Sequence, residues 1–268
     1  MCTTSVLQRE RSQLNYLYAF IFRIMSEPIR LAKRVAELIK CSRSQAEQYI
    51  EGGWVKVDGR VEESPQHKVT SEVIEIDPKA TLLESLPMTI LLHKPANYDW
   101  GDGLKPAGEL LEQGNRSSLD ASGTRLLKRH LKNQISVTPL EMRASGLLVF
   151  TQDFRIERKL WSDAYLLETE IIVDVKGQVT DDMLLALNRP LIRHDRPVLI
   201  AKIALSRSNE QSTGLRFAVK GGEPGQIGML CEHHGLQIVG MRRIRVGRVP
   251  LADLAAGQWR FLNLHERF

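Results

Sequence analysis

A chain of 268 residues with 43% hydrophobic content is long enough for about two domains, each with a buried core. The formal net charge of +5 suits a polyanionic partner without requiring one. Three scattered cysteines (Cys2, Cys41 and Cys231) with no C-x-x-C pair argue against a disulfide framework or a structural zinc site, and for a reducing cytoplasm.

The apolar stretch "LNYLYAFIFRIM" at 14–25 is too short to span a bilayer, and no small-residue cleavage site follows it. Residues 1–26 are expected to be an N-terminal extension, with 1–24 lying upstream of the start of the first domain. In "IRLAKRVAELI", Leu31, Val35 and Leu38 fall on one helical face, while Arg30, Lys33 and Arg34 fall off it. "CSRSQAEQYIEGG" predicts a second helix, capped by Ser42 and ended by Gly52-Gly53. "WVKVDGRV" predicts a hairpin, because Asp58-Gly59 accepts the positive φ of a type I′ turn. "VTSEVIEID" adds a further strand. "LESLPM" at 83–88 reads as a linker.

Beyond it, "TILLHK" (89–94) predicts a strand ending at Lys94-Pro95. Residues 96–124 predict a long loop with a helix near Gly108 to Glu112; Tyr98 and Trp100 either stack on a base there or anchor the loop. "TRLLKRHLKNQI" predicts a helix with Arg125, Lys128, Arg129 and Lys132 along one face, either a phosphate track or a solvated surface. Strands are predicted at "GLLVFTQ", "TEIIVDV", "VLIAKIAL", "GLRFAV" and "LQIVGMRRIRV", and helices at "DDMLLALN" and "QIGMLCEHHG" with Gly235 as its stop. Connections this short give an α+β fold with a mixed or largely antiparallel sheet. His93 and His130 show no evident partner. Cys231, His233 and His234 have the wrong spacing for a common zinc site. In "MRRIRVGR", Arg243 and Arg245 alternate with apolar residues, which puts a basic face on one side of the strand.

Residues 27–86, through the basic first helix and the "CSRSQAEQYIEGGWVKVDG" run, resemble the small S4-type RNA-binding domain. That resemblance implies phosphate contacts from Arg30, Lys33, Arg34, Ser42 and Arg43. Residues 87–268 resemble the catalytic domain of ribosomal-RNA pseudouridine synthases that carry such a domain in front. "MRRIRVGRVPLADLAAGQWRFL", "LLHKP" and "CEHHG" carry this likeness. So does "TPLEMRASGLLVFTQD", which sets Leu140 and Gly146-Leu147-Leu148 on the family's signature and Glu141 on its catalytic aspartate. The resemblance implies conversion of a uridine to pseudouridine in structured ribosomal RNA, with no cofactor and no metal. Glu141 would be the catalytic group, with Lys94, Arg143, Gln226, Arg243 and Arg245 beside the RNA.

Departures from the family pattern cluster around the same cleft. Thr138 and Pro139 replace the Gly and Arg before the carboxylate, and Ile171 replaces a tyrosine that stacks near the flipped base. Gly225, Gly228 and Met229 stand where arginines are expected. The alternative expectation is therefore a catalytically silent RNA- or ribosome-binding factor on the same scaffold. A monomeric protein without membrane association is expected.

Overall fold

The computed structural model describes residues 27–80, 86–193 and 196–268. The expected extension at 1–26 and residues 83–85 of the expected linker lie outside the described residues. Two compact units are distinguished. One covers the described residues up to Leu86 together with Leu127–Arg129, and the other covers Pro87–Leu126 and His130–Phe268.

The first unit runs β1 (Ile29–Arg30), α1 (Leu31–Ile39), α2 (Arg43–Glu51), β2 (Val55–Val57), β3 (Arg60–Val61), β4 (Lys68–Val69) and β5 (Ile74–Ile76). Its core packs Leu31, Ala32 and Val35 of α1 against Ala46 and Ile50 of α2, with Val55 and Val69 from the strands. Leu38, expected on the buried face of α1, is 55% exposed. α2 begins with a complete capping box: the Ser42 hydroxyl accepts from the Gln45 amide at 3.2 Å, and the Gln45 side chain accepts from the Ser42 amide at 2.9 Å. Asp58 (φ 48°) and Gly59 (φ 76°) form the β2–β3 turn predicted by their sequence.

The second unit contains β6 (Thr89–Lys94), the last two residues of the short helix α3 (Lys128–Leu131), β7 (Ile135–Ser136), β8 (Ser145–Thr151), α4 (Phe154–Trp161), β9 (Glu168–Lys176) and α5 (Asp181–Leu187). It continues through β10 (Ile192–Arg193), β11 (Arg196–Pro197), β12 (Ala201–Ser208), β13 (Ser212–Lys220), α6 (Gln226–His233), β14 (Ile238–Val246), β15 (Val249–Pro250) and β16 (Trp259–Phe261). Among the described residues, nine strands form one sheet in the order β12-β13-β9-β14-β8-β6-β16, with β15 added to β14 and β7 to β8. Every pairing is antiparallel except β14 with β8. The fold is mixed α+β.

Period-two alternation splits the sheet's apolar residues between layers. Leu147 and Val149 of β8 join Leu160 of α4 and Val246 on one face. Leu148 and Phe150 join Ile90, Leu92, Trp259 and Phe261 on the other. Farther along, Ile171, Val173 and Val175 of β9 pack with Leu187 of α5 and Ile227, Leu230 and Cys231 of α6. The basic helix expected over 124–135 is reduced to the four residues of α3. Arg125 and Lys132 lie outside it, so no continuous basic stripe forms. Near Gly108 the chain makes 3-10 turns at Ala107–Leu110 and Gln113–Asn115.

The parallel seam between β8 and β14 demands a glycine. Gly146 has φ +116°, and a Cβ on it would stand 2.3 Å from the Arg243 carbonyl oxygen and 2.5 Å from the Arg243 nitrogen. This close approach lies where the segment carrying Glu141 enters β8.

Candidate active site around Glu141

The segment 137–144 links β7 to β8, and two buried cations fasten it from beneath. The Arg243 guanidinium donates to the carbonyls of Thr138 (2.7 Å), Pro139 (2.8 Å) and Leu147 (2.7 Å). Burial pushes it down to about 9, so it stays a cation at neutral pH. Lys94, at the end of β6, is fully buried. Its ammonium donates to the carbonyls of Pro95 (3.1 Å), Tyr98 (2.8 Å) and Met142 (3.2 Å). The Asn97 amide also donates to Met142, at 2.7 Å. Glu141 therefore sits on a short loop whose backbone is clamped on both sides.

The Glu141 carboxylate turns toward α6. Its Oε1 accepts from the Gly225 amide at 2.8 Å. Gly225 is the N-cap of α6 and holds φ +94°, a conformation natural to glycine. The Cys231 thiol on the same helix is pushed up to about 12, by burial first and by Glu141 second. No lysine or arginine among the described residues forms an ion pair with Glu141. The cleft beside it is lined by Ile171 of β9, Met241 and Arg243 of β14, Gly222 and Ile227.

Four residues expected to contact RNA from this unit have intramolecular partners. Arg243 is only 5% exposed, and its hydrogen bonds go to backbone carbonyls, so it is a buried clamp and not a phosphate contact. Lys94 is likewise buried, with its donors directed at three carbonyls. Arg245 is partly exposed but pairs with Glu168 at 2.7 Å and Glu170 at 2.9 Å, which neutralise the basic face expected for β14. The Gln226 side chain accepts from the Glu223 amide at 3.0 Å, bracing the turn into α6. Arg143 is exposed beside Glu141 and has no ion-pair partner among the described residues. Ile171 occupies the cleft wall and offers apolar area without a hydroxyl. His93 has a partner after all: its Nδ1 bonds the Leu254 carbonyl at 2.7 Å.

In the first unit, Arg30, Lys33, Arg34 and Arg43 are all exposed. Arg34 makes a long contact with Glu37 at 4.0 Å, and Arg43 pairs with Glu47 at 3.2 Å. Exposed pairs of this kind are weak and leave the cations available to phosphate. The Ser42 hydroxyl serves as the α2 cap.

The S4 domain family matches residues 29–74. Over most of its length the chain is similar to proteins named ribosomal large subunit pseudouridine synthase B. It is 26% identical to the Pseudomonas aeruginosa protein over 239 residues, covering 88% of this chain and 60% of that one. It is 28% identical to the Escherichia coli K12 protein over 241 residues, covering 90% and 80%. The chain is a homologue of these pseudouridine synthases. The Aquifex aeolicus relative, an uncharacterized RNA pseudouridine synthase, is 27% identical over 240 residues and is itself covered to 92%. A solved pseudouridylate synthase superposes with a TM-score of 0.54 at 21% identity, covering 88% of this chain and 96% of that one, which establishes the shared fold. The homologue thus spans 60% of its Pseudomonas relative and most of the others.

Lys94 gives this clamp a pH dependence. Burial, then the Arg243 charge, lowers its pKa from 10.5 to about 8, against an opposing pull from Asp99. Between about 8 and 10.5 the unfolded chain carries a proton on Lys94 that the folded protein has released, so this residue makes stability rise with pH through that window. In urea melts, the stability difference between the parent and Lys94→Met should move in the parent's favour as pH climbs from about 8 to 10.5. A difference that stays flat would contradict the assignment.

Proposed function

We propose that this protein is an RNA pseudouridine synthase that isomerises a uridine in structured ribosomal RNA, with Glu141 as its catalytic carboxylate. The observation that carries the reading is the fixed presentation of Glu141: a loop clamped by two buried cations holds one carboxylate at the lip of a cleft with mixed polar and apolar walls. The reaction breaks the bond between the sugar and the uracil nitrogen, turns the base, and joins the sugar to a ring carbon. The hydrogen on that carbon leaves as the ring nitrogen regains one, so the change is a net isomerisation. A carboxylate held at the cleft can act at the sugar or base of a flipped-out nucleotide. Ile171 and Met241 supply apolar wall against which the base can lie. Arg30, Lys33, Arg34 and Arg43 supply phosphate contacts from the first unit, and Arg143 supplies one beside the carboxylate.

A second reading rests on a specific contact. The Glu141 carboxylate is tethered to the Gly225 amide and has no guanidinium partner among the described residues, which favours an RNA- or ribosome-binding factor without turnover. One experiment separates the two. Purified protein is incubated with ribosomal RNA transcripts and the pseudouridines are mapped chemically. New pseudouridine that vanishes in Glu141→Ala is the expected result. Tight RNA binding without any modification, unchanged by the substitution, would replace the first reading with the second.

A further inference from the structure

We propose that the outer face of α4 and the adjoining Trp100 loop form a stacking track for unpaired RNA nucleotides that flank the target uridine, a proposal that rests on the RNA-directed reading above. Phe154, Arg158 and Trp161 are spaced i, i+4, i+7 on α4, so they share one stripe. The stripe faces outward: Phe154 is 72% and Trp161 53% exposed, whereas Leu160 is buried in the core. Large aromatic faces left open to solvent at helical spacing mark a surface suited to a partner.

The stripe leads toward the Glu141 cleft. At its C-terminal end the Trp161 ring lies 5.8 Å from the Trp100 ring at an interplanar angle of 32°. The Trp100 loop starts from Lys94, whose ammonium also holds the Glu141 loop through Met142. Just beyond α4, exposed Tyr165 lies against Gly221; a Cβ on that glycine would meet the Tyr165 Cα at 3.4 Å. Gly221 lines the same cleft as Glu141. The aromatic residues therefore mark a path from the lip of the cleft along the helix.

Charge complementarity selects the occupant. The groove beside the stripe is lined by Arg155, Arg158 and Lys159 against one carboxylate, Asp163. Arg155 is tied to Asp153 at 2.9 Å, and Lys159 reaches the Phe268 carbonyl oxygen. Arg158 is exposed and has no ion-pair partner among the described residues. Aromatic faces interleaved with an available guanidinium suit a single strand, whose bases stack while its phosphates meet the cation. A duplex hides its base faces and cannot use the rings.

The test uses the full chain and a short, unstructured, uridine-rich RNA carrying one photoreactive 5-iodouridine. Irradiation followed by peptide mapping should place crosslinks on Trp161, Trp100 or Phe154. Trp161→Ala should remove the crosslink at that position and weaken binding of the same RNA by about tenfold, while Trp161→Phe retains most of the affinity. Arg158→Glu, an exposed change that leaves the packing intact, should also weaken binding and flatten its dependence on salt. Affinity for a fully paired RNA of the same length should be unaffected by Trp161→Ala. Crosslinks confined to residues 27–80, or single-strand affinity unchanged in both variants, would overturn the track and leave the stripe as a contact for an apolar protein segment. A track that passes these tests in a protein forming no pseudouridine would stand while the catalytic reading falls, so the two failures are distinguishable.

Discussion

Arg243→Met should lower the urea midpoint of the second unit sharply, by an amount equivalent to about 3 kcal/mol. Methionine fills similar length but carries no donors. The carbonyls of Thr138, Pro139 and Leu147 would then face each other in a region too buried for water to replace the guanidinium. Each unsatisfied buried carbonyl costs about 1–3 kcal/mol, and release of the cation's own desolvation cost returns part of the sum. Arg243→Lys should fall between parent and Met, because one ammonium cannot reach three divergent carbonyls as a planar fork can. The loop carrying Glu141 loosens in the same step, so modification should decline even at low temperature where the variant is folded. An unchanged midpoint in Arg243→Met would show that the clamp contributes nothing.

Shortening the carboxylate is the second large effect. Glu141→Asp should modify RNA about a hundredfold more slowly than the parent, because misplacement on the order of 1 Å is enough for such a loss. Removing one methylene withdraws the oxygens by about 1.5 Å. The backbone cannot follow, since Arg243 and Lys94 hold it, and the 2.8 Å bond to the Gly225 amide breaks. The length of glutamate thus matches an anchor on α6 that an aspartate in this loop cannot reach. Adding Gly228→Arg to Glu141→Asp should recover part of the rate. A Cβ at Gly228 meets nothing within 4 Å, so the substitution is sterically open at its first atom, and Gly228 follows the cleft residue Ile227. Glu141→Asp matching or exceeding the parent in a timed pseudouridine assay would show that the tether to Gly225 does not set the working position.

Much of the scaffold was legible in the linear sequence for local reasons. A Ser-x-x-Gln box caps α2, Asp-Gly turns the β2–β3 hairpin, an unbroken apolar run makes β8 and alternating apolar residues make β9, so short-range chemistry alone specifies them. The basic helix expected over 124–135 exceeded the observed four residues of α3 because a favourable charge pattern says nothing of whether the backbone is needed elsewhere. α4 escaped the sequence reading: its Asp153 cap and Leu160 contact are visible, but the exposed Phe154 and Trp161 break the expected amphipathic pattern. Those same residues now carry the proposed stacking track.

The sequence by itself determined the α+β class and the position of Glu141 ahead of a buried strand. Tertiary structure alone decided what the charged residues around it do. A lysine or arginine in a strand looks the same on paper whether it faces phosphate or a ring of carbonyls. The difference arises only when the parallel seam at Gly146 brings β14 beneath the loop, buries Arg243 and Lys94, and forces their donors onto the backbone in place of water. Burial is a property of the packed whole, and no local pattern of residues encodes it.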